Sequence, residues 1–205
     1  MSKHSLSSRI HTLVGIAILS AIVVILQLFC IIPINPVVSI TLSLIPIVVG
    51  AIIYGPWAGA FLGTVLGGVI FALVVGGSAG ALSTAMFNFS PVATFLVCIL
   101  KTALAGFLSG LVYKLLTKSG HEKIGIVTAA LLCPFVNTGI FVTALLTIFG
   151  NIASASAESS GVSLIYFIIV MIVGINFVVE FAINGLLAPV VVRIIGAVKK
   201  TVKAR

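Results

Sequence analysis

Lys101 is the residue in this chain best placed to do chemistry, because it lies inside an apolar run. A cation at membrane depth is costly and is functional by default. The structural alternative is a lysine held by an ion pair or by backbone carbonyls. Two polar groupings accompany it. Asn137 and Thr138 follow Pro134, whose missing N–H loosens the local helical ladder. Asn176, Glu180 and Asn184 stand at i, i+4 and i+8, which makes one polar stripe on an otherwise apolar helix. Counted from the same membrane face, Lys101, Asn137 and Asn176 fall at similar depths. Glu180 is one turn deeper. It either pairs with Lys101 or sits lower as a structural contact. Asn184 reads as polar glue between helices. The available chemistry is one cation, amides, hydroxyls and an aliphatic wall with Phe71, Phe87, Phe89 and Phe141. That set suits a small carboxylate carrying amide and hydroxyl groups. A flat aromatic ring system would call for Trp or Tyr at mid-depth, and the one Trp, Trp57, sits at a predicted interface.

The elements that must position these residues are membrane spans. The chain is 61% hydrophobic and 7% charged over 205 residues, with a mean hydropathy of +1.41. Such a composition excludes a soluble domain. A helix needs about 20 residues to cross the hydrocarbon core. Six spans are expected, at about 9–32, 38–54, 57–76, 91–116, 124–149 and 163–195. Together they form one membrane domain over 1–205. Pro46 is expected to kink the second span and Gly55-Pro56 to make a tight turn. The first span is too long for a signal-peptide core and reads as a retained helix. Residues 76–91 and 150–162 read as polar or small-residue loops. The fold class is therefore an all-α integral membrane protein with six transmembrane helices.

Charge sets the orientation. Lys3 and Arg9 precede the first span. Lys114, Lys118 and Lys123 lie around the fourth connection between the spans. Arg193, Lys199, Lys200, Lys203 and Arg205 follow the last. The connections near 33–38, 77–90 and 150–162 contain no Lys or Arg. The positive-inside rule then puts both termini in the cytoplasm. The net charge of +8 belongs beside anionic lipid headgroups and does not argue for nucleic acid.

Enzyme chemistry has little to work with. The acids are Glu122, Glu158 and Glu180, with no Asp. His4, His11 and His121 sit at cytoplasmic ends, and Cys30, Cys98 and Cys133 lie in separate apolar runs. No metal or cofactor is implied. No GxxxxGK[ST] sequence is present, so this chain lacks the usual phosphate loop for ATP.

Small residues recur at helical spacing. Gly55, Gly59, Gly63 and Gly67 form one ladder, and Gly106 and Gly110 a shorter one. Packing between this chain's own helices is the expected use. Ala17 and Ala21 make a small-xxx-small pair on the first span. Taken alone, it reads the same way.

These features together resemble a known family. The pair Ala17 and Ala21, the stretch SLIPIVVGAIIYGPWAGAFLG at 43–63 and the stretch CPFVNTGIF at 133–141 look like an S component of an energy-coupling-factor (ECF) vitamin transporter. Within that family the chain looks most like the pantothenate-type group. The resemblance implies a subunit of a prokaryotic plasma membrane that binds a vitamin from outside. It implies as partners a transmembrane coupling protein and two ATPase subunits, with release inward by toppling of the S component. It turns Ala17 and Ala21 into a docking face. It makes Lys101 the holder of the pantothenate carboxylate, with Asn137, Thr138, Asn176 and Glu180 as further substrate-binding residues. Biotin and nicotinate also carry a carboxylate and remain alternatives. So does a stand-alone carrier, although carriers usually place more carboxylates at the midplane.

Overall fold

A computed structural model describes residues 3–29, 31–33 and 39–178, together with 181, 182, 185, 186 and 193. Cys30, Glu180, Asn184 and most of the predicted sixth span lie outside the described residues. The chain runs through α1 (Lys3–Phe29), β1 (Ile31–Pro33), β2 (Ser39–Thr41), α2 (Leu44–Tyr54), α3 (Pro56–Val75), α4 (Ala81–Phe89), α5 (Pro91–Lys118), α6 (Glu122–Thr147), α7 (Gly150–Ser159) and α8 (Leu164–Tyr166). A segment of π-helix, Phe167–Phe177, continues directly from α8. The protein is an all-α integral membrane protein. Among the described residues, four helices are long and apolar enough to span: Ile10–Phe29, Pro56–Val75, Pro91–Lys118 and Glu122–Thr147. A broken pair, Gly150–Ser159 and Leu164–Gly174, is bent by 99° and could serve as a fifth.

Four expectations change. The second span is an 11-residue helix, preceded by a short antiparallel hairpin that pairs Ile32 with Ile40. Pro46 falls in the first turn of α2 and kinks nothing, because a first-turn N–H has no intrahelical acceptor to lose. Residues 76–91 contain α4. Leu82 and Met86, one turn apart, are buried against Phe149 and Phe167. Residues 150–162 contain α7, which buries Ala153 and Ala157 in the same cluster. Their Ser, Gly and Ala content looks like loop chemistry, yet an i, i+4 pair of small or apolar residues suffices to seat a helix on a neighbour.

Two apolar clusters result. One joins α1, α2 and α3 to α5 and α6, with Val23, Ile47, Leu62, Ala105 and Cys133 buried in it. The other gathers α4, α7 and the start of the π-helix around Val97 of α5 and Leu145 of α6. Helices α3 and α5 hold each other backbone to backbone. A Cβ placed on Gly59 would collide with the carbonyl of Gly106, and one on Gly106 with the carbonyl of Gly59. Gly63 faces the Thr102 carbonyl, and Gly67 faces that of Cys98. Gly55 leaves the ladder. Its φ of 96° makes the turn between α2 and α3, with Pro56 opening α3.

The pair on α1 does not pack internally. Val23 and Gln27 are buried, whereas Ala17 and Ala21 lie exposed beside Ile18 and Ile22. The internal-packing expectation for that pair is therefore corrected.

Gly63→Ala should lower the stability of the detergent-solubilised protein by about 1–3 kcal/mol, the usual cost of overpacking. Gly68→Ala, with nothing within 4 Å of its added Cβ, should leave it unchanged or slightly higher. Parallel thermal unfolding of the two variants checks the contrast.

Candidate functional site

Lys101 reaches its position through the α5–α6 pair. Ser90 caps α5, its Oγ accepting the Ala93 N–H, and Pro91 opens the helix. The turn at Ser119–His121 reverses the chain into α6, so residue 101 lies opposite the stretch from Asn137 to Phe141. On α5, Val97, Lys101 and Ala105 are spaced one turn apart. Val97 belongs to one apolar cluster and Ala105 to the other. On α6, Cys133 belongs to the first cluster and Ala144 to the second. Lys101, Asn137 and Thr138 thus occupy the interval between the two apolar clusters.

The Lys101 ammonium sits 4.8 Å from the centroid of the Phe141 ring. That is within cation–π range. Among the described residues no hydrogen bond or ion pair joins Lys101 to Asn137 or Thr138. The Asn137 Oδ1 and Thr138 Oγ1 atoms are buried and have no hydrogen-bond partner among the described residues. Such atoms are uncommon, since an orphaned buried polar group costs about 1–3 kcal/mol. On α5, Thr102 Oγ1 donates to the Cys98 carbonyl at 2.9 Å and Ser109 Oγ to that of Ala105 at 2.7 Å, whereas Thr117 Oγ1 near the helix C-terminus is also buried without a partner among the described residues. Asn137 and Thr138 follow Pro134, which lies inside α6 and cannot donate to the carbonyl one turn before it.

Of the sequence-predicted site residues, Lys101, Asn137 and Thr138 are brought onto facing stretches of two helices. Asn176 lies in the π-helix segment. Unusual i→i+5 spacing is frequent near functional sites. Glu180, expected either to pair with Lys101 or to sit lower, is outside the described residues. The phenylalanine wall is partly self-engaged. Phe71 packs edge-on against Phe87 at 5.9 Å and Phe95 at 5.0 Å, and Phe89 against Phe149 at 5.9 Å.

Two open grooves flank α6. One of about 510 Å³ lies between α5 and α6, lined by Leu100, Phe135, Ile140 and Thr147. Another of about 310 Å³ lies between α6 and the π-helix, lined by Thr138, Val142 and Val173. Neither contains Lys101 or Asn137, and their walls are apolar.

One polar contact was passed over in the sequence. Ser43 Oγ donates to Gln27 Oε1 at 2.9 Å, with both residues buried just below the hairpin. The signal was present: Gln27 is the chain's one glutamine, set in an aliphatic run.

The sequence model of a family described as ECF transporter, substrate-specific component, matches residues 11–192. The chain belongs to that family. It is the substrate-binding membrane subunit of an ECF transporter, a class whose members work with a coupling protein and ATPases. No curated protein sequence matches it. For an S component, the cation between the two clusters and the orphaned Asn137 amide oxygen and Thr138 hydroxyl on the neighbouring stretch of α6 are substrate-binding candidates. The exposed Ala17 and Ala21 belong to a different surface, facing away from the bundle.

Proposed function

We propose that this S component binds a small carboxylate vitamin, pantothenate first, with Lys101 as the anchor of the carboxylate. The observation that carries the proposal is the place of Lys101. It is an intramembrane cation between two apolar clusters, on a stretch of α5 that packs against the stretch of α6 carrying Asn137 and Thr138, whose side-chain oxygens have no partner among the described residues. Pantothenate offers complementary groups: a carboxylate for the ammonium, and an amide and hydroxyls for Asn137, Thr138 and Asn176. Charge-assisted hydrogen bonds of this kind are roughly twice as strong as neutral ones.

Direction follows from the helix. The basic turn between α5 and α6 belongs in the cytoplasm of a prokaryotic cell, which puts the Pro91 end of α5 outside. Side chains lean toward the N-terminus of their helix, so Lys101 leans toward the outer face. That direction supports loading from outside. The hairpin below residue 42, together with α4, stands at the same end and would cover the vitamin.

The exposure of Ala17 and Ala21 supports their use as the docking face for the coupling protein. A small-residue stripe lets a partner helix approach closely. Energy for release would then come from two ATPase subunits on that partner, with the S component toppling in the membrane.

Calorimetric titration of the purified chain should show one-to-one binding of pantothenate. Lys101→Ala should weaken it about a hundredfold or more, the loss expected for a charged hydrogen bond of about 3 kcal/mol. Lys101→Arg should retain part of the affinity, because charge survives while geometry changes. Unaltered binding in folded Lys101→Ala protein would exclude the anchor role. Binding of biotin or nicotinate in place of pantothenate would keep the anchor and replace the vitamin.

Ala17→Trp and Ala21→Trp should spare binding and stop ATP-driven uptake in cells that co-express the coupling and ATPase subunits. Full uptake by both variants would rule out docking through this face.

A further inference from the structure

The Phe141 ring carries the Lys101 ammonium on its face. Other phenylalanines pack against rings: Phe71 with Phe87 and Phe95, Phe89 with Phe149, and Phe107 with Trp57. Phe141 also packs against the apolar cluster formed by α4, α7 and the start of the π-helix. One part of its surface therefore belongs to that cluster, and its ring face holds the Lys101 ammonium at 4.8 Å. For packing alone, a leucine of similar volume would serve. The cation requires an aromatic face, whose quadrupole is negative.

We propose that Phe141 is a positioning residue for the substrate, acting through Lys101: its ring holds the ammonium in place without neutralising it. The inference rests on Lys101 being the anion anchor. A lysine has four rotatable carbons and loses much rotamer freedom when fixed. An anchor that is already fixed does not incur that loss when the vitamin binds. A carboxylate could fix it too, but it would compete with the vitamin for the same charge. A ring attracts the ammonium while leaving its full charge in place. It also takes up one side of a group with three N–H donors, so donors remain for a carboxylate. The ring face thus prepares Lys101 for an anion specifically, and a neutral ligand gains little from it.

The test compares acid and neutral forms of one ligand skeleton. The purified full chain, as wild type, Phe141→Leu and Phe141→Tyr, is titrated calorimetrically with pantothenate and with its alcohol analogue, pantothenol. Biotin and nicotinate are run beside their carboxamides in the same way. For the acid that binds, Phe141→Leu should lose about 2- to 30-fold in affinity, the range of a cation–π contact. Phe141→Tyr, which keeps the ring, should restore it. The neutral analogue should bind all three proteins with equal affinity, which also shows that the leucine variant is folded. Equal losses for acid and neutral forms would mean that Phe141 only packs, and would overturn the proposal. So would acid binding that Phe141→Leu leaves intact. The anchor itself is judged separately. If Lys101→Ala weakens acid binding and Phe141→Leu does not, only the role of Phe141 fails. If Lys101→Ala has no effect, or no acid binds folded wild-type protein, both fail together.

Discussion

The backbone contact between α3 and α5 is the constraint on which the remaining architecture depends. Lipid gives helices no hydrophobic reason to associate, so they hold together by close packing. Gly59 against Gly106, Gly63 against Thr102 and Gly67 against Cys98 bring two main chains together with no side chain between them. That commits one side of α5 to α3. Its neighbouring side, with Val97, Lys101 and Ala105 one turn apart, is left to meet α6. The lysine is placed by glycines on another helix as much as by its own surroundings.

Above and below that lysine lie the two apolar clusters. Each is continuous across several helices, and Lys101 with two of the unpartnered buried side-chain oxygens, those of Asn137 and Thr138, lies in the interval between them on α5 and α6. In a bilayer, orphaned polar atoms cannot turn to bulk water for a partner. The unpartnered amide oxygen of Asn137 and hydroxyl of Thr138, on the stretch of α6 next to Lys101, are therefore costly, and a bound ligand would offset that cost. The aromatic residues divide in the same way. Phe71, Phe87, Phe95, Phe89 and Phe149 pack ring against ring, while Phe141 meets the charge.

Much of this was legible in the sequence. Hydropathy gave the long helices α1, α3, α5 and α6, and the Gly spacing gave the α3–α5 contact. Lys101 and the Asn137–Thr138 pair declare themselves because polar groups in apolar runs are rare. The helices α4 and α7 were hidden because Ser, Gly and Ala serve loops and close helix packing equally well, and only the cluster they cover distinguishes the two uses. The short α2 was overestimated because an apolar run does not say whether its first residues are strand or helix. Ser39–Thr41 pair with Ile31–Pro33, and neither segment carries a turn motif that announces the hairpin. The burial of Gln27 against Ser43 depends on the same hairpin. For Ala17 and Ala21, spacing alone could not say which way the stripe faced.

An experimental structure of this chain with pantothenate bound is the most direct test of the account. A carboxylate oxygen should lie within about 3 Å of the Lys101 ammonium, in the interval between the two apolar clusters. A vitamin bound with its carboxylate elsewhere, and Lys101 still facing only protein, would contradict it.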